Sequence, residues 1–73
     1  LGWINTLEGE FEKGLSLLRE AGARDANNGE IYYHLAYTLA ELNNKQQAEQ
    51  ALSSAVSLAP NHPLRLLVTQ KVN

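Results

Sequence analysis

Two histidines and eight acidic side chains are the residues of this 73-residue chain best suited to chemistry. Glu30 and His34 stand four apart, so a helix would carry both on one face, the spacing from which zinc-protease motifs begin. Such a motif needs a second histidine at position 38, and Thr38 stands there. His34 therefore reads as a solvated histidine of a helix face. His62 lies in an Asn-His-Pro turn and is expected to be exposed. Ser16 sits in Gly-Leu-Ser-Leu-Leu, which lacks the second glycine of a nucleophile elbow and falls inside a helical stretch. Glu8 and Glu12 straddle Gly9 and read as a charged turn. Gly9, Gly14, Gly22 and Gly29 are isolated from one another, so no phosphate-cradling loop forms. With no cysteine, two histidines are too few for a structural zinc site. The sequence gives no reason to expect catalytic residues, a metal or a cofactor, and it reads as a protein that is not an enzyme.

Composition narrows the class further. The chain is 44% hydrophobic and 19% charged with two prolines, which places it among folded rather than disordered sequences. The formal charge is −2, and the six basic residues, Lys13, Arg19, Arg24, Lys45, Arg65 and Lys71, are spread along the chain. Nucleic-acid binding calls for a concentrated basic face, so no nucleic-acid partner is expected. No apolar run reaches the length of a membrane span.

The elements that must position these side chains follow from an internal repeat. Shifted by 34 residues, Leu1 meets Leu35, Gly2 meets Ala36, Gly14 meets Ala48, Leu18 meets Leu52, Ala21 meets Ala55, Ala26 meets Pro60 and Asn27 meets Asn61. The register needs no insertion, and the matches fall on the small and leucine positions that helix packing constrains most. Ile31, Leu35, Leu39 and Leu42 mark one face of a helix over Gly29 to Leu42, with Asn27 and Glu30 as a capping box at its start. Asn43-Asn44 breaks it. A second helix runs from Lys45 to Leu58 with Ala48, Ala51, Leu52 and Ala55 on one side, and Pro60 stops it by disfavouring helical geometry at Ala59. Earlier in the chain, Leu1 to Glu8 reads as the tail of a helix, Gly9 as its breaker and Phe11 to Ala23 as its partner, spaced by Phe11, Leu15, Leu18 and Gly22. Pro63 to Val72, with Leu64, Leu67 and Val68, completes a set of five predicted helices.

Tyr32, Leu35, Ala36, Leu39, Ala48, Leu52, Ala55 and Pro60, with Leu1, Gly2, Phe11, Leu18 and Ala21 before them, resemble the signature positions of the tetratricopeptide repeat. The departures are Asn5 for a large residue, Gly14 for alanine, Ala26 for the closing proline, Asn43 for the turn glycine and Lys45 for an aromatic. The resemblance implies an all-α fold of antiparallel helix–turn–helix repeats stacked as a short right-handed solenoid. It divides the chain into a partial first repeat over 1–28 with a truncated first helix, a complete second repeat over 29–62, and a capping helix and tail over 63–73. In that register the chain begins at the seventh position of a repeat, which implies the C-terminal part of a longer array, with a character like that of bacterial repeat proteins. An uncapped face around Leu1, Ile4 and Phe11 is then expected to self-associate, as a homodimer or end to end.

The resemblance also implies where a partner would bind. First helices of the family line a concave groove along which a partner's segment lies. By register the groove positions are Trp3, Thr6 and Leu7 from the first copy and Glu30, Tyr33, His34, Tyr37 and Glu41 from the second. Trp3 and Tyr37 occupy the same repeat position, and such rings are common hot spots, although both could equally pack helix on helix. One subclass clamps a partner's terminal carboxylate with basic residues. Tyr33, His34 and Tyr37 stand at the corresponding places, so the chain departs from it. The expected function is a protein-interaction or scaffolding module for a protein or peptide partner. The alternatives are a regulatory or tethering segment of a larger enzyme or envelope assembly and an RNA-binding helical repeat, which would require a basic groove.

Overall fold

Each helix end is set by residues that leave helical geometry, and the same geometry recurs one repeat later. The computed structural model describes residues 9–73, in which helices span Phe11–Arg24 (α1), Gly29–Glu41 (α2), Lys45–Leu58 (α3) and Leu64–Val72 (α4). The helix tail expected over Leu1 to Glu8 lies outside the described residues. Gly9 and Asn43, 34 positions apart, both take the left-handed region, at φ 86° and 63°. Glu10 and Asn44 then open α1 and α3 at φ, ψ of −90°, 66° and −91°, 66°. Asp25 and Ala59 close them at −135°, 73° and −144°, 72°. The 34-residue period is thus written in the backbone as well as in the side chains.

The turn after α2 explains why asparagine serves where the family uses glycine. Asn44 N–H donates to Leu39 O at 2.9 Å and Asn43 N–H to Ala40 O at 3.1 Å, the paired bonds of a Schellman end with Asn43 in the left-handed position. Asparagine tolerates that conformation better than any other residue bearing a side chain of its size. The N-cap of α2 is Asn28, whose side chain accepts from Glu30 N–H at 3.1 Å. The expected capping box at Asn27 is therefore displaced by one residue, an ambiguity that two adjacent asparagines leave open.

α2 is the central element and packs against each of the other three helices. It runs antiparallel to α1, whose Gly22 faces Ile31 and Leu35, and antiparallel to α3, whose end at Leu58 and Ala59 meets Gly29. α4 runs parallel to α2, with His62 beside Glu30 at one end and Lys71 on Glu41 at the other. The core consists of Leu15, Leu18, Tyr33, Leu35, Ala36, Leu39, Ala48, Ala55, Val68 and Val72. Ala36, Ala48 and Ala55 are wholly buried, as expected of small residues that let helix axes approach closely.

α4 seals one end of this core through Val68 and Val72. A capping helix would present a polar outer surface, but Leu66 and Leu67 of α4 remain 68% and 49% exposed. α4 also begins as α2 does. His62, 34 residues after Asn28, accepts from Leu64 N–H through Nδ1 at 3.1 Å, just as Asn28 accepts from Glu30 N–H. By geometry α4 occupies the place of a first helix in a following repeat.

Candidate functional site

On α2, Glu30, His34, Tyr37 and Glu41 follow one another at spacings of four, three and four, which puts them on a single face. That face turns away from α3, and α4 borders it at both ends. His34 is partly buried. Burial holds its pKa below the ordinary histidine value of 6.5, a shift that nearby Glu30 opposes and His62 reinforces. At pH 7 it is neutral. Its carbonyl accepts from the buried Thr38 hydroxyl at 2.8 Å, which satisfies that hydroxyl inside the helix.

At the far end, Lys71 forms an ion pair with Glu41 and places its ammonium 5.4 Å from the Tyr37 ring centroid. The hydrogen bond to Glu41 is the main cause that raises the Lys71 pKa above its ordinary value. One side chain of α4 thus neutralises a groove carboxylate and covers part of a groove aromatic. Between its ends the face is apolar and aromatic.

Tyr33 is the correction to the expected groove. Its side chain is wholly buried, its hydroxyl donates to Ala59 O at 2.6 Å, and its ring stacks on His62 at 5.1 Å between centroids. It lies one position short of His34 around the helix, and that rotation of about 100° carries it off the open face toward the turn after α3. Tyr33 therefore belongs to the core and cannot touch a partner.

His62 departs from expectation in the opposite way. Its side chain is 19% exposed, and both ring nitrogens are engaged. Because Nδ1 accepts from Leu64 N–H, the ring proton sits on Nε2, which donates to Glu30 Oε2 at 3.0 Å. Neither nitrogen is left for a metal or a substrate. Nothing in the composition marked this residue. The one available signal was its 34-residue offset from Asn28, which gives it the same capping position.

Trp3, Thr6 and Leu7 lie outside the described residues, as do Leu1 and Ile4 of the expected self-associating face; Phe11 of that face is partly buried. On the other side of α2, an open hollow of ≈ 370 Å³ is lined by Ala26, Tyr32, Ser53, Ser54, Ser57 and Leu58. It carries hydroxyls but no charge. Among the described residues no group of three metal-ligating side chains comes together, and no helix is long and apolar enough to cross a membrane.

The tetratricopeptide repeat family model matches residues 6–70. No curated protein and no solved structure matches the chain significantly. Repeats of this family generally mediate protein–protein interaction and are modules without catalytic machinery. The match spans nearly the whole sequence, and the geometry repeats with the same period. The chain belongs to the tetratricopeptide repeat family.

Proposed function

We propose that this chain binds an extended, weakly charged segment of a partner protein along the α2 face formed by Glu30, His34, Tyr37 and Glu41, continued by Trp3, Thr6 and Leu7 of the preceding unit. The reading divides the chain into a partial repeat over 1–28, a complete repeat over 29–62 and a closing segment over 63–73. The observation that carries it is the compensation of the groove's charges. Glu41 is paired with Lys71 and Glu30 accepts from His62, while neutral His34 and Tyr37 lie between them. A strongly basic segment would have to displace Lys71 to reach Glu41. A segment with one or two apolar side chains needs only the aromatic centre, where rigid rings bury area at low entropic cost.

Peptides selected from a random library on the 73-residue chain test this reading. Selected sequences should be apolar with few charges, and Tyr37→Ala should weaken them about tenfold. Unchanged affinity in Tyr37→Ala and in Trp3→Ala would remove the groove proposal.

A further inference from the structure

The outward face of α4 is built like a helix surface that another helix covers. α4 starts 34 residues after α2 with the same side-chain cap, so Leu66, Leu67 and Gln70 stand where Tyr32, Tyr33 and Ala36 stand on α2. On α2 that side is closed by α3, the helix that contributes the buried Ala48 and Ala55 and the partly buried Ala51 and Leu52. On α4 the same side is open, with Leu66 and Leu67 exposed. Two exposed leucines alone would be ordinary on a protein surface. Here their position continues an established helix–helix interface by one repeat.

Charge narrows the occupant. All eight acidic residues lie at or before Glu49, and α4 carries Arg65 and Lys71 with no carboxylate of its own. Arg65 is exposed and uses Nη1 to donate to Pro60 O at 2.8 Å, so the rest of its guanidinium faces solvent beside Leu66. Pairing two copies through α4 in antiparallel fashion would set Arg65 near the other copy's basic end, with no acid to meet it. We propose that this face docks an amphipathic helix of a partner protein that presents an alanine-lined stripe flanked by carboxylates. The surface is separate from the α2 groove, and the proposal stands whether or not that groove binds a segment.

The probe is a synthetic peptide of residues 45–58 carrying Lys45→Glu and Gln46→Glu, which has the shape of the helix that covers the equivalent side of α2. It is titrated into the ¹⁵N-labelled 73-residue chain. The expected result is saturable shifts at Leu66, Leu67 and Gln70. The dissociation constant should lie at about 0.1–1 mM, because a short isolated helix must order on binding. The Leu66→Gln/Leu67→Gln double variant, altered only at exposed positions, should weaken binding about tenfold. The unmodified Lys45 peptide should bind a few-fold more weakly than the acidic one. Failure to saturate across the millimolar range, or shifts unaffected by the double variant, would overturn the proposal. So would sedimentation showing that the chain alone dimerises through these leucines, which would make a second copy the occupant.

Discussion

Tyr33→Ala lowers the stability of the chain by about 3–5 kcal/mol, the range found when large buried rings are truncated. A domain of this size has a total stability of about 4–11 kcal/mol, so the variant is largely unfolded or melts tens of degrees earlier. Three contacts disappear together. The ring leaves the core, Ala59 O loses the phenol donor at 2.6 Å, and His62 loses the surface on which it stacks. Tyr33→Phe separates these contributions. It keeps the ring and the stacking and removes one hydrogen bond, so it should cost only about 1 kcal/mol. Ala59 O still accepts from His62 N–H at 3.3 Å. Thermal denaturation followed by circular dichroism measures both. A mild effect in Tyr33→Ala would mean that the ring lies on the open face after all.

The second large effect separates two glycines that look alike in the sequence. An alanine at position 29 would place its Cβ 2.7 Å from Ala59 Cβ, 3.1 Å from Ala59 N and 3.2 Å from Leu58 Cβ. These atoms are backbone or bonded directly to it, so none can swing away, and the start of α2 must move off the end of α3. Gly29→Ala should therefore cost about 1–3 kcal/mol, as overpacking does. Gly22 lies within α1, and an added Cβ would meet Ile31 Cγ2 at 3.7 Å and Leu35 Cδ1 at 3.9 Å, ordinary contact distances. Gly22→Ala should stabilise the chain by about 0.5–1 kcal/mol through helix propensity. Urea denaturation of the two variants reads the opposite signs directly. A shift of the same sign in both would show that the approach of Gly29 to Ala59 is not tight.

What was legible in the sequence was whatever local chemistry decides. Lys45 to Leu58 emerged with the expected limits because Asn43-Asn44 and Ala59-Pro60 forbid helix on either side. The repeat was legible because small residues recur where helices must approach. Tyr33 was not placed correctly because Tyr32, Tyr33 and Tyr37 sit close together around one helix. Which ring turns inward depends on a turn 26 residues later, where Ala59 O awaits a donor. His62 was misread as a solvent-exposed turn residue for the same reason, since its partners Glu30 and Tyr33 are distant in sequence. Leu66 and Leu67 belonged to a predicted cap, and only the position of α4 beside α2 shows that their side of the helix is open.

The central claim is that the 34-residue period sets out an α2 face on which a partner's segment lies. Amide chemical-shift mapping with a library-selected peptide tests it most directly. The account predicts perturbations along Glu30, His34, Tyr37 and Glu41, spreading to Lys71 as its contact with Glu41 is disturbed. Perturbations centred instead on Ser53, Ser54 and Ser57, with the α2 face silent, would contradict it.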